Sequence, residues 1–581
     1  MTGSQDQYLS SVISYDYYHE QFHFCKPEGG PVQQPESLGS ILFGDRIFNS
    51  PFKLNMLEDR VCQILCTEKI DKYDAQFIND RIRENYNLNW LVDGLPAGQL
   101  YKDKTTDADF YSIGFKLGEI QDQHGKRVPQ FSNHYDITIQ YHTKDKHNYR
   151  VVGVLVYPRS FDNKGSPRPT CSKEPPLILD ENAENTVTYT YSIKWEETDI
   201  PWATRWDNYL YISDSKIHWF SLVNSILVVL FLTGMVAMIL LRALHKDIAR
   251  YNSEEVHEDV QEDFGWKLVH GDVFRPPQRV MLLSVLLGTG AQLFCMTTVT
   301  LVLAALGFLS PSNRGLLTTI MIILYLFLSI VAGYVSAVIY KMLGGEKWRQ
   351  NVILTSTLFP GTVFGIMILL NFFLMYVKSS GAVPFGTMIA VIGLWFLIAM
   401  PLCLVGAYLG FKRKRIEQPV RTNQIPRQIP DQVAYLRPIP SMLMGGVLPF
   451  GAIFIELYFI LNSIWFHRIY YVFGFLFIVF GILILTCSEV TVLLCYFHLC
   501  AEDYRWWWRA FLTSGASAIY VMLYATLYYF SKLSIDSFSS TVLYFGWSFI
   551  MSLFFFVLTG TIGFFACFGF VRKIYSSIKI D

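Results

Sequence analysis

The chain has 581 residues, 52% of them hydrophobic, 16% aromatic and only 17% charged, with 48 basic and 48 acidic side chains. That leaves too little polar surface for one water-soluble body, so a membrane protein is the first expectation. A net charge of zero removes any field of one sign that would draw in nucleic acid or anionic surfaces.

The opening stretch MTGSQDQYLS is polar and lacks the apolar core of a secretory signal. A large domain that crosses into a lumen ordinarily needs one, so a cleaved signal is expected ahead of it. Residues 1–216 mix charges, aromatics, Pro and Gly as a water-facing globular domain does. Val187 to Trp195 alternates apolar and polar residues, and so do Ile137, Ile139 and Tyr141, with Lys144-Asp145-Lys146 as a turn into the apolar run 151–157. The pattern predicts half-buried strands, packed most simply as an antiparallel sandwich. Cys25, Cys62, Cys66 and Cys171 lie in this domain. An even set in an oxidising compartment predicts two disulfides, with three connectivities open. Cys62 and Cys66 could instead bind metal, but no His or Cys partner sits at a zinc-like spacing.

Nine apolar runs follow, centred on 219–241, 280–308, 315–340, 352–376, 386–410, 442–464, 471–497, 510–530 and 541–570. Each meets the requirement of about twenty residues to cross roughly 30 Å of hydrocarbon. The segments 242–279, 341–350, 412–437, 499–509 and 571–581 hold twenty-one Lys and Arg, while the alternate loops hold four: Arg314, Lys378, Arg468 and Lys532. Basic loops stay cytosolic, so the N-terminal domain is expected in the lumen and the tail in the cytosol. The predicted architecture is an α-helical multi-pass bundle of nine transmembrane helices carrying an N-terminal, lumenal, mainly-β domain. Its parts are the domain 1–216, a first helix 217–242, a cytosolic linker 243–279, an eight-helix domain 280–570 and a tail 571–581. The linker contains the acidic run Glu254, Glu255, Glu258, Asp259, Glu262 and Asp263, which reads as a solvated connection. No Asn-x-Ser/Thr sequon occurs.

Ionisable groups inside spans are costly and mark function by default. Glu456 lies in the sixth span and Glu489 in the seventh, roughly 12 Å and 27 Å from their shared turn at about 1.5 Å per residue. A straight pair at those depths does not touch. Each could hydrogen-bond within the bundle, Glu489 to Ser488 or Thr491, and with Asn462 they form a candidate intramembrane polar site. Pro360 with Gly361 and Gly365, Pro401 with Gly406, and Gly445-Gly446 with Pro449 and Gly451 crowd three spans. Such residues serve close helix packing, a groove for another protein's helix, or the broken helix of a transporter. His270 and His498 read as hydrogen-bonded structural groups. No phosphate-binding loop, zinc-helix motif or nucleophile elbow occurs, so no catalytic residue, cofactor or metal is predicted and an enzyme is not expected. The tail ends Lys579-Ile580-Asp581, a compact charge pattern that a receptor could read.

Several ordered segments carry a resemblance: Leu244 to Tyr251, Gly271-Asp272-Val273-Phe274-Arg275-Pro276-Pro277, Gly345-Glu346-Lys347-Trp348, Pro419 to Pro430, and Cys500-Ala501-Glu502-Asp503-Tyr504. Through them the chain resembles the nonaspanins, the transmembrane 9 superfamily, over nearly its whole length. The resemblance implies residence in Golgi and endosomal membranes, a coatomer-binding Lys-x-Asp ending at Lys579, Ile580 and Asp581, and partners that include membrane-protein cargo with Gly-rich transmembrane helices. It implies a role in sorting such cargo to the surface, and in adhesion and phagocytosis. The alternative from the residues alone is a proton- or cation-coupled transporter working through Glu456 and Glu489.

Overall fold

The structure, a computed structural model, describes residues 8–9, 13–42, 44–102, 109–123, 126–144, 148–163, 171, 175–209, 215–252, 265–309, 315–465, 473–535 and 537–576. The acidic run 254–263, the turn residues 145–147 and the tail residues Lys579, Ile580 and Asp581 lie outside these.

The N-terminal domain is mainly strand, as alternation predicts. Along Asn185–Glu197 the side chains of Val187, Tyr189, Tyr191 and Ile193 turn inward. They join Ile137, Ile139 and Val154 in a core that also takes Ile78 and Ile82 of helix α2 (Lys72–Arg83), which follows the short helix α1 (Leu38–Leu42). The central sheet has six strands in the order Arg60–Ile70, Asn185–Glu197, His134–Thr143, Tyr149–Arg159, Gly98–Lys102, Asp109–Ile113. It is mixed rather than wholly antiparallel, because His134–Thr143 runs parallel to Asn185–Glu197. Alternation reports which face is buried and is blind to strand direction. Cys25 is bonded to Cys66 and Cys62 to Cys171, fixing one of the three connectivities.

Beyond the domain runs α3 (Ser215–Asn252), whose described apolar stretch is Leu222–Met238. Among the described residues, eight further helical segments are long and apolar enough to cross a membrane. They are α4 (Val280–Ala305), α5 and α6 (Leu316–Phe327, Ser329–Met342), α7 (Trp348–Tyr376), α8 and α9 (Phe385–Leu394, Met400–Lys412), α10 (Pro438–Trp465), α11 (Phe473–Cys500), α12 and α13 (Trp506–Gly515, Ser517–Lys532) and α14 (Phe538–Ser576). The eight agree with eight of the nine predicted spans; the first predicted span falls on α3.

Two expectations need correction. The linker is not uniformly solvated: α3 continues to Asn252, and Val269, Asp272, Val273 and Phe274 are buried against the bundle. The tail also begins later than 571, since α14 continues to Ser576 and the Tyr575 hydroxyl donates to the Trp266 carbonyl at 2.7 Å.

The domain docks on one end of the bundle. Ser379 Oγ and the Ser380 amide donate to the Ser14 carbonyl, Arg46 donates to the Ala382 carbonyl, the Gly39 amide donates to Thr319 Oγ1, and Tyr8–Leu9 pairs in parallel with Leu533–Ser534. Ile13 is buried with Leu370, Leu543 and Ile550. These contacts fall at or beside the connections poor in Lys and Arg.

Pro and Gly act within the spans as their chemistry requires. Pro360 has no N–H for the Ser356 carbonyl four residues back, and the Trp395 indole N–H supplies one at 2.9 Å. Trp395 opens a π-turn, Trp395–Ala399, just ahead of Pro401. Gly333 lets α6 meet α9 at the Cys403 carbonyl, and methyls at Gly406 or Gly445 would strike Ile330 or Thr513. At the far end Lys341 Nζ donates to the Phe411 and Arg413 carbonyls, closing the C-terminus of α9. Trp395→Phe should cost about 1 kcal/mol of unfolding free energy in lipid nanodiscs, the typical net value of one hydrogen bond. The cost should shrink when Pro360→Ala restores the helix's own donor; equal costs in both backgrounds would refute the Trp395 role.

Candidate functional site

Helices α10 and α11 are antiparallel, with Ser441 opposite His498 and Gly445 opposite Leu494. Farther along, Ile453 packs with Val479 and Ile482. This register puts Glu489 level with about residue 449 and roughly 10 Å from Glu456 along the axis, at 1.5 Å per residue. The predicted carboxylates are therefore at separate levels. Glu456 is buried at 2% exposure. Asn462 lies within α10, and its side chain falls outside the described part.

Glu489 turns to α3, not to Ser488 or Thr491, whose hydroxyls donate to the carbonyls of Ile484 and Cys487. Thr233 Oγ1 lies 2.5 Å from Glu489 Oε1 and 2.9 Å from the Val229 carbonyl. One hydroxyl hydrogen cannot serve both acceptors; both contacts are met together when the carboxyl carries a proton. Glu489 Oε2 is buried and has no partner among the described residues. Thr233 was not predicted, because a lone Thr in an apolar run gives no signal of what it faces.

A second polar centre occupies the end of the bundle opposite the docked domain, and it is built from the ordered segments singled out in the sequence. Asp272 accepts from Arg275 at 2.6 Å and from the Arg427 amide at 3.3 Å. The Asn423 amide donates to the Gly271 carbonyl at 2.8 Å, and Arg427 reaches Glu502 at 3.0 Å. The Trp506 indole N–H donates to the Val273 carbonyl. Beside these, Asp503 is fully buried with Arg509 at 2.8 Å and Arg505 at 3.1 Å. Burial pushes the Asp503 carboxyl upward, but Arg505 hydrogen bonds and the Arg509 charge outweigh it, leaving it below its ordinary value.

His498 joins this centre between Ser441 Oγ at 2.7 Å and Arg509 at 2.9 Å. The contact with Ser441 has the spacing of a nucleophile and its base, but the proton is on the wrong nitrogen. Arg509 only donates, so His498 accepts through Nδ1, and the neutral ring then carries its hydrogen on Nε2 and donates to Ser441. The ring in this state cannot take the Ser441 proton. His498 is thus a hydrogen-bonded structural group, and His270 bonds the Lys267 carbonyl at 2.9 Å. Among the described residues no group of three His, Cys, Asp or Glu is placed to hold a metal ion.

Removing one partner of a buried ion pair leaves a charge uncompensated, at a cost of about 3–5 kcal/mol. Asp503→Asn should lose that much in unfolding experiments, and Asp503→Asn with Arg509→Met should lose much less than the two singles combined. Because the folded carboxyl is lowered, its contribution is complete above the unfolded Asp value near 4 and is lost as pH falls through the folded value. Additive single-variant losses would contradict the pairing.

Residues 14–538 match the family described as Endomembrane protein 70. The chain is 50% identical to transmembrane 9 superfamily member 2 of Homo sapiens over 602 residues, covering 99% of this chain and 90% of that one. It is 48% identical to member 10 of Arabidopsis thaliana, covering 98% and 92%, and 47% identical to member 1 of Saccharomyces cerevisiae, covering 100% and 91%. No solved structure matches. With its helical bundle and strand-rich N-terminal domain, the chain belongs to the transmembrane 9 superfamily, the Endomembrane protein 70 family of multi-pass membrane proteins.

Proposed function

We propose that this protein is a sorting factor of Golgi and endosomal membranes that assists other membrane proteins to the cell surface by recognising their transmembrane helices. The carrying observation is a division among its glycines. Gly288, Gly290, Gly333, Gly406, Gly445, Gly446 and Gly563 are consumed by close packing inside the bundle, where an added methyl would meet a neighbour. Gly234 on α3, Gly451 on α10 and Gly474 and Gly481 on α11 face open space, with nothing within 4 Å, as do Gly365 on α7, Gly386 and Gly393 on α8 and Gly569 on α14. Of these helices α3 carries Thr233 and α11 carries Glu489, whose second oxygen has no partner among the described residues. Small residues let backbones approach, and a polar group in hydrocarbon rewards a helix that brings a hydrogen bond.

In this reading the N-terminal domain is lumenal and the C-terminus cytosolic. The excess of Lys and Arg at the bundle end opposite the docked domain supports that orientation. The ending Lys579-Ile580-Asp581 would then face coatomer and hold the protein early in the secretory pathway, while adhesion and phagocytosis follow from the cargo delivered.

In cells lacking the protein, the wild type should restore surface levels of proteins with Gly-rich or polar spans. Gly451→Leu with Gly481→Leu, and separately Glu489→Gln, should restore them poorly at equal expression. A surface proteome insensitive to the protein would refute sorting, and Glu489-dependent ion flux in proteoliposomes would favour the transporter reading. Lys579→Ala with Asp581→Ala should shift the protein to post-Golgi membranes in imaging; unchanged distribution would refute retention by the tail.

A further inference from the structure

The N-terminal domain holds a cleft of about 610 Å³, a size suited to a small molecule, on one face of its central sheet. Its apolar wall consists of Leu54, Met56, Val92, Ile139 and Val151. Ile139 and Trp195 are register partners on neighbouring strands, so the Trp195 indole lies beside this wall. The strands beneath are interior members of the sheet order; beside the cleft, past the last pairs at Leu155 and Ile193, the Val151 carbonyl is taken by Arg205 and the Trp195 amide by Asp59.

The polar groups of the cleft are few and positioned. Asp93 and Gly94 have φ of 52° and 74°, giving the hairpin Leu91–Val92 to Leu95–Pro96 a turn with positive φ at both central residues. That turn holds Asp93 3.2 Å from Arg205, which also donates to the Val151 carbonyl. Arg150 and Arg205 stand 5.2 and 4.7 Å from the Trp202 ring centroid, fixing both guanidiniums against an indole. Asp93 offsets one of these charges; Arg150 is in no ion pair among the described residues. Trp195 Nε1–H is buried without an acceptor among the described residues.

We propose that this cleft binds a single-chain anionic amphiphile, with its oxygen-acid head on Arg150 and the Trp195 N–H and its hydrocarbon chain along the apolar wall. An ionised head gives Arg150 a charge-assisted partner and meets the orphan indole donor. A sugar would present hydroxyls along its whole length to a wall that is mostly aliphatic. An extended peptide would need free backbone groups along a strand, and at the cleft the Val151 carbonyl and Trp195 amide are already held by Arg205 and Asp59. The assignment is independent of helix recognition in the membrane.

The test uses full-length protein in phosphatidylcholine nanodiscs with three diazirine probes: a fatty acid, a lysophosphatidate and a neutral monoacylglycerol. The expected result is photolabelling of peptides that contain residues 54–56, 149–151 or 195–205 by one or both acidic probes, which distinguishes a carboxylate from a phosphate head, and not by the neutral one. Arg150→Ala, a change at an exposed position, should lower that labelling about tenfold, the size of one charge-assisted hydrogen bond. Met56→Trp should block the cleft and abolish it with Arg150 intact. Equal labelling by the neutral probe, labelling confined to other peptides, or labelling indifferent to both substitutions would overturn the proposal. Displacement of the probe by a soluble acidic sugar or acidic peptide would also overturn it.

Discussion

Hydrocarbon cannot hydrate a polar group, so every donor and acceptor within the spans must be satisfied by the protein itself. Hydroxyls meet this requirement locally: Thr289, Thr298, Thr486, Thr559 and Thr561 each donate to the carbonyl four residues back. Amides meet it between helices, as when Asn351 of α7 donates to Ser284 of α4 and Ser336 of α6, or Gln292 of α4 to the Tyr325 carbonyl of α5. Where Pro360 removes a donor, Trp395 supplies one from the next span. Among the described residues Glu489 Oε2 has no partner, while its other oxygen holds Thr233, and the Thr300, Tyr528 and Ser540 hydroxyls are buried without one as well.

The same constraint sorts charge to the two ends. At one end the N-terminal domain rests on short connections through serine hydroxyls, backbone amides and the apolar side chain of Ile13. At the other, Asp272, Glu502 and Asp503 are threaded among Arg275, Arg427, Arg505 and Arg509, locking the segments 265–279 and 419–437 against the ends of α11 and α12. A buried pair such as Asp503 with Arg509 adds little net stability, but losing either partner leaves the other charge buried and uncompensated.

Much of this was legible in the residues. Length and hydropathy located the spans, alternation located the strands of the N-terminal domain, and the ordered segments pointed to the family. Other features were hidden because they depend on which elements meet. Nothing local in Cys62 reveals Cys171 as its partner, and nothing in Thr233 reveals Glu489. Alternation could not tell that His134–Thr143 runs parallel to Asn185–Glu197. The segment Gly271 to Pro277 belongs to the linker that reads as solvated because of the acidic run Glu254 to Asp263 ahead of it. Within it Asp272 accepts from Arg275 three residues on, and its second oxygen is met by the Arg427 backbone amide arriving from the segment 419–437.

In the proposed reading the docked domain and the arginine-rich centre lie on opposite sides of a membrane, the domain in the lumen. The chain has no native glycosylation sequon, so sequons added one at a time report each side cleanly. Glu184→Thr completes a sequon at the exposed Asn182 in the domain, and Asp431→Asn with Val433→Thr creates one on the exposed segment beside the arginine-rich centre. A glycosidase-sensitive gain in mass is expected for the first variant and none for the second. Glycosylation of the second variant, or of both, would contradict it.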